Sequence, residues 1–315
     1  MSLEKAAILT LKNCMGIKKG EQILVVTDTP LYSLGQEFFN AAKELECEAL
    51  QMNFLPRDNN GEEPPQAVAA AMKDAQVVLL ITSKSLSHTR ARKEANLAGA
   101  RIASMPGITE EMILRTLTID YGVFQEQAAK LEQILSGGGH VHLTSEAGTD
   151  LTFSIEGRKG LIDAGIYTKP GDFGNLPAGE VYVAPVEGTA QGILAVDGSM
   201  AGIGIVDRPI ILKVEKGLAL EVYGGGAAIK LNGILHKYGD KARNIAELGI
   251  GIHPTAILTG AVLEDEKIQG TVHIALGGNS TIGGTVEVAS HLDGIVLKPT
   301  LSIDGTLILK SGKFL

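Results

Sequence analysis

Gln22–Leu55 reads QILVVTDTPLYSLGQEFFNAAKELECEALQMNFL, and its hydrophobic period changes twice. QILVVTD is a short apolar run rich in β-branched residues, as a strand buried on both faces requires. From Leu31 the spacing becomes helical, with Leu34, Phe38, Ala41 and Ala42 on one face. EALQMNFL then returns to strand character. A strand, a helix and a second strand within one short stretch form a βαβ unit, which implies a parallel sheet.

The alternation continues outward from this unit. PRDNNGEEPP from Pro56 is a loop by composition, QAVAAAMKDA from Gln66 is helical, and QVVLLITS from Gln76 is another buried strand. TRARKEANLAGA from Thr89 is helical with Gly99 near its end, and RIASMP from Arg101 is a short strand. TEEMILRTLTID opens on Thr109, an N-cap residue type followed by two acids in the first turn. Residues 1–136 are therefore expected to form a doubly wound, largely parallel α/β domain of Rossmann or flavodoxin type.

Ser136–His140, SGGGH, reads as a hinge, after which the pattern changes. Of the 39 glycines, 28 follow residue 150, and they separate the strand-like runs HVHLTSE, TDLTFSIEG, GEVYVAP, GILAVDG, RPIILKVEKG and LALEVYGG. One helical segment, AAIKLNGILHKYG from Ala227, interrupts them. The tail TLSIDGTLILKSGKF alternates about Asp304-Gly305, a type I′ hairpin signal. Residues 137–315 are thus expected to form a β-rich α+β domain.

Composition narrows the function classes. A formal net charge of -8 argues against a nucleic-acid partner. The absence of Trp and a 4% aromatic content disfavour stacking platforms for sugars or single strands. Cys14 and Cys47 have neither disulfide-framework nor thiolate-metal spacing. The N-terminus lacks a signal-type apolar region, and no run is long enough to cross a membrane, so the expected location is cytoplasmic. P-loop, GxGxxG and GxSxG motifs are absent.

Chemistry-bearing residues concentrate in the second half. His291 and Asp293 form an H-x-D pair; in extended backbone both project to one side and can meet one ion or two adjacent ions. The same pair also fits a turn beside a surface histidine. His273 in TVHIALGG is either a ligand or a core histidine with its hydrogen bonds satisfied. Glu247 stands alone in the apolar run IAELGIGI, and Glu180 at the mouth of EVYVAP. Each must face solvent or meet a cation, because burying a lone carboxylate is costly. Two imidazoles with several carboxylates suit zinc, cobalt, manganese or iron. His253, near Glu247, is a further candidate, whereas His88, His140, His142 and His236 read as surface or structural.

In order and neighbours these motifs resemble the M29, aminopeptidase T-type metallopeptidases. The matching segments are GTDL at Gly148, NLPAGEV around Glu180, ELGIG at Glu247, HIALG at His273 and HLD at His291. The resemblance covers essentially the whole chain and implies a homodimer. It also implies two divalent ions (zinc, cobalt or manganese) held by Glu180, Glu247, His273, His291 and Asp293. Glu180 or Glu247 would bridge the ions or shuttle the proton while a metal-bound hydroxide removes N-terminal residues from peptides. One position departs from the pattern: Ser280 stands where the family carries a Tyr. The scaffold also resembles ring-cleaving non-haem Fe(II) dioxygenases of hydroxylated pyridines, for which His273, His291 and Asp293 would form a 2-His-1-carboxylate triad acting on a small-molecule substrate. A binding homologue without catalysis is the third expectation.

Overall fold

The computed structural model describes residues 2–315. The chain divides into two compact units, one of residues 1–123 and 165–178 and the other of residues 124–164 and 179–315.

The first unit is built on a five-stranded sheet in the order Glu48–Phe54, Gln22–Asp28, Val77–Ile81, Arg101–Ser104, Phe173–Asn175, parallel throughout. Its strands alternate between two buried faces. Leu24, Val26, Val78, Leu80 and Ile102 pack with Val68 and Met72 of helix Gln66–Asp74 and with Ala91 and Ala95 of helix Arg90–Leu97. On the other face, helix Tyr32–Glu44 presses Gly35 against the sheet so closely that a Cβ there would lie 2.2 Å from Thr27 Cγ2 and 3.3 Å from Val25 Cγ1. Helices on both faces make the sheet doubly wound, as expected. Thr109 caps helix Glu110–Thr116 through the Met112 amide, as its sequence position predicted.

Four elements of this unit lie outside the sequence reading. Helix Leu3–Leu9 is capped by Ser2 and runs into a wider π-turn at Thr10–Cys14. A 3-10 turn, Thr29–Leu31, precedes helix Tyr32–Glu44. Segment 165–178 returns late in the chain to supply the edge strand Phe173–Asn175.

The second unit consists of two antiparallel sheets. Eight strands run in the order Leu218–Tyr223, Ile210–Glu215, Gln191–Val196, Asp150–Ser154, His140–Thr144, Thr300–Ile303, Thr306–Lys310, Lys313–Phe314. Seven more run Gly204–Ile205, Ser199–Met200, His291–Val296, Val272–Gly277, Ile245–Gly251, Glu180–Val183, Leu161–Asp163. Asp304 and Gly305 both have positive φ, as the predicted hairpin turn requires. In the seven-stranded sheet, Ile245–Gly251 and Val272–Gly277 are buried along their whole length.

The expected boundary after residue 136 falls inside this unit. Helix Gln125–Gly137, which the sequence reading did not assign, packs along strands Leu161–Asp163 and Glu180–Val183. The SGGGH segment is a packed helix-to-strand junction. A Cβ on Gly138 would approach Ile303 Cγ2 to 2.6 Å, and the Asp304 carboxylate accepts hydrogen bonds from the Gly139 and His140 amides. The unit boundary, at residues 123/124, follows this packing rather than glycine content.

Candidate metal centre

Strand register brings the distant candidates together. Directly paired residues of antiparallel strands share a face. Asp163 pairs with Glu180, and Glu180 with Gly251; Tyr182 pairs with Gly249, Gly249 with His273, and His273 with Ile295. Glu247 pairs with Ala275, Ala275 with Asp293, and Gly277 with His291. With period-2 alternation, all these residues lie on one face of the sheet. The polar side chains alternate with Gly249, Gly251, Ala275 and Gly277, and the glycines let neighbouring groups pack directly onto that face. Gly249 is needed for His273 itself: a Cβ there would fall 1.9 Å from the ring Nε2.

A bulge sets the orientation of Glu247. Ile245 pairs with Leu276, yet Glu247 pairs with Ala275, so one extra residue separates them. Ile245 is thereby carried to the opposite face, and Glu247 stays on the polar one.

All five sequence candidates meet. Glu247 lies between the two imidazoles, with Oε1 3.2 Å from His273 Nε2 and Oε2 3.3 Å from His291 Nε2. Glu180 Oε2 is 3.1 Å from His273 Nε2, and Asp293 Oδ1 is 3.4 Å from His291 Nε2. His291 Nδ1 is 2.8 Å from the Gly278 carbonyl oxygen, which orients the ring. The expected solvent-facing alternatives for Glu180 and Glu247 do not hold, since both are buried. His273 is no satisfied core histidine, because its buried Nδ1 has no hydrogen-bond partner.

The sequence reading missed three further polar residues here. Glu266 and Lys267 follow the short helix Val262–Asp265, and Asp163 ends the edge strand. Lys267 is completely buried, with Nζ 2.5 Å from Glu180 Oε1, 2.5 Å from Glu266 Oε1 and 4.0 Å from Asp163 Oδ2. Gly251 admits this segment: a Cβ there would lie 2.1 Å from the Ile268 carbonyl oxygen. Asp265 anchors the preceding loop, accepting hydrogen bonds from Ser199 Oγ and from the Thr259 and Gly260 amides. The acidic run LEDEK before TVHIALG was the available signal. His253, the reserve candidate, plays a local structural part, its Nδ1 accepting from the Thr255 and Ala256 amides.

Burial and charge oppose each other throughout the cluster. Burial pushes the Glu180 carboxyl up, but Lys267 and His273 outweigh it and hold it below the usual range. Glu247 is likewise held down by hydrogen bonds from His273 and His291, and Asp293 by the His291 charge. Burial lowers His273 and His291, yet the surrounding carboxylates raise both well above an ordinary imidazole. Because the His291 side chain is 32% exposed, water screens part of its interaction. Glu266 is the exception among the carboxyls: burial dominates and pushes it up to about 8. Burial and the nearby Glu247, Asp163 and Glu180 keep the Tyr182 phenol protonated.

The donor set fits a divalent ion. Three overlapping sets have ligand atoms within 4.8 Å of one another: Glu180, Glu247, His273; Glu247, His291, Asp293; and Glu266, His273, Asp293. None of the three holds both imidazoles, because Glu247 stands between them. His273 Nδ1 is buried without a hydrogen-bond partner, a deficit that a cation or a group bound to one relieves.

An α/β unit joined to a β-rich unit that gathers imidazoles and carboxylates on one sheet face defines an M29-like scaffold. Wild-type AmpT from Thermus thermophilus superposes with a TM-score of 0.74, covering 99% of this chain and 98% of that one at 18% identity, a likeness of fold. The chain belongs to the NicX, 2,5-dihydroxypyridine 5,6-dioxygenase, family, whose sequence profile matches residues 3–315. The 2,5-dihydroxypyridine 5,6-dioxygenase of Pseudomonas putida KT2440 is 23% identical over 252 residues, 74% of this chain and 70% of that protein. The solved structure of a 2,5-dihydroxypyridine dioxygenase from the same strain superposes with a TM-score of 0.83 at 20% identity, covering 99% of this chain and 96% of that one.

These findings correct the expectation of an aminopeptidase. Hydrolase and metalloprotease chemistry rested on motif order, which two families on one scaffold share; the match along the whole chain is to the ring-cleaving family. The pair of zinc, cobalt or manganese ions followed from that resemblance alone. Membership of a dioxygenase family still implies a metal, and the cluster fits one. Among the described residues, no helix is long and apolar enough to cross a membrane.

Proposed function

We propose that the protein is a ring-cleaving dioxygenase of hydroxylated pyridines, with 2,5-dihydroxypyridine as its substrate, and that His273, His291 and Asp293 hold one ferrous ion. Both imidazoles face Glu247, Asp293 lies against His291, and Asp293 and His273 share a set of ligand atoms within 4.8 Å of one another; this arrangement carries the reading, with Glu247 moving from between the rings when the ion binds. Ferrous iron in a 2-His-1-carboxylate set supplies open coordination positions and redox chemistry toward dioxygen.

The remaining residues handle protons and fit. Glu247 and Glu180, held ionised, can accept a proton from a substrate hydroxyl. Glu266, with its carboxyl near 8, can hold a proton at neutral pH and release it when a nearby charge changes. The Tyr182 phenol stays protonated and can donate a hydrogen bond. Gly249 and Gly251 let the His273 ring and the Ile268 backbone pack directly on the sheet, which fixes the polar groups in place.

The test is turnover of 2,5-dihydroxypyridine by ferrous-loaded protein under labelled dioxygen. Loss of the ring absorbance with both labelled atoms in the product is expected. Replacing His291 and Asp293 together with Ala should lower bound iron from about one ion per chain to near zero while the first unit stays folded. Unchanged iron in that variant, or an intact ring with iron fully bound, overturns the reading.

A further inference from the structure

A fully buried lysine inside an acidic metal-type cluster is the least expected feature of the molecule. Lys267 is 0% exposed, and its backbone is fixed on both sides: its amide donates to the Glu264 carbonyl oxygen, and its carbonyl oxygen accepts from the His253 amide. Its ammonium lies 2.5 Å from one oxygen each of Glu180 and Glu266, with Asp163 at 4.0 Å. Divalent ions bind carboxylate oxygens at roughly 2.0–2.2 Å. An ion ligated by Glu180 and Glu266 would therefore occupy nearly the same point as Nζ, and the two exclude each other.

Charge points the same way. Asp163, Glu180, Glu247, Glu266 and Asp293 are all buried around this centre. Without the ammonium, the facing oxygens of Glu180 and Glu266 would be buried with no cation between them.

From this geometry we propose that the Lys267 ammonium is a built-in cation that fills a latent second divalent-metal position between Glu180 and Glu266, and so limits the chain to one metal ion. The proposal rests on the single-metal reading above and extends it. Glu180 is committed to two cationic groups, Oε1 to Lys267 and Oε2 to His273. That leaves His273, His291 and Asp293, with Glu247 between the two imidazoles, for the one exchangeable ion.

The experiment is a count of bound Mn2+ per chain by equilibrium dialysis and elemental mass spectrometry, with Lys267→Gln beside the native protein. The native chain should bind one ion and the variant two, the second added without loss of the first. Melting temperature gives a second readout. A second equivalent of Mn2+ should raise it in Lys267→Gln and leave the native chain unchanged. Two ions in the native chain, one ion in a folded variant, or a variant that stays unfolded at excess Mn2+ each overturn the proposal. A native chain that binds no ion instead removes the ligand set on which the function reading itself depends.

Discussion

Gly249 shows how much of this site depends on a missing side chain. The His273 ring occupies the space where a Cβ on Gly249 would stand, 1.9 Å from Nε2. Gly249→Ala must therefore displace the ring that faces both Glu180 and Glu247. Second-shell substitutions commonly cost about 10–100-fold in metal affinity. We expect Gly249→Ala to weaken Mn2+ binding by at least about 10-fold in a direct titration, with the fold retained by circular dichroism. Native affinity would mean that His273 does not bind the ion. The ligand residues themselves could be found from sequence, because a carboxylate in an apolar run must have a reason to be there. Lys267 could not, since a lysine in LEDEK reads as a solvated charge until the fold buries it.

Among elements, the junction between helix Gln125–Gly137 and strand His140–Thr144 is held by one carboxylate. Asp304 accepts from the His140 amide at 2.8 Å and the Gly139 amide at 3.0 Å. Those amides, His140 first, lower its pKa below the ordinary carboxylate value. A depressed folded-state pKa contributes stability above the unfolded value of roughly 3.9, and this is lost as pH falls through the lower folded value. Asp304→Asn keeps the left-handed turn but replaces one acceptor with a donor. Thermal melts should show the variant less stable than the parent at pH 7, the gap narrowing below about pH 4. A gap independent of pH would assign the effect to the turn instead. The strands of the parallel sheet's first four positions and of the eight-stranded sheet were read near their observed places because each has period 2 or a continuous apolar run, whereas Ile245–Gly251 and His291–Val296, which carry Glu247, His291 and Asp293, were not assigned. Helix Leu3–Leu9, helix Gln125–Gly137 and the edge strands Leu161–Asp163 and Phe173–Asn175 were not assigned either, since short or mixed segments carry too little periodicity to separate them from loops.

For the whole molecule, metal binding and stability are expected to be linked through the second unit, which holds every candidate ligand. An ion that binds only the folded state adds RT ln(1 + [ion]/Kd), about 2.7 kcal/mol at a hundredfold excess over Kd. Calorimetry should show that chelation lowers the melting of this unit and that restored ferrous ion raises it again. A melting profile indifferent to both would separate the cluster from metal binding. The sequence reading placed the aminopeptidase first and the ring-cleaving dioxygenase second, and the family match reverses that order. Residue order along the chain belongs to the scaffold, and an aminopeptidase and a ring-cleaving dioxygenase share that scaffold.

The sequence by itself determined the alternation of strand and helix, the change to β-rich structure, and which imidazoles and carboxylates were candidates. These properties are local: period, turn chemistry and the cost of an unpaired charge are all written in neighbouring residues. Tertiary structure alone added Asp163, Glu266 and Lys267 to the five residues the sequence had grouped, and decided which of them touch. Their pairing depends on antiparallel register and on a one-residue bulge before Glu247, and long-range pairing of that kind leaves no trace in the spacing of the residues it joins. It also decided that a lysine, rather than a second ion, sits among the acids, because only the folded chain closes over Lys267 and removes it from water.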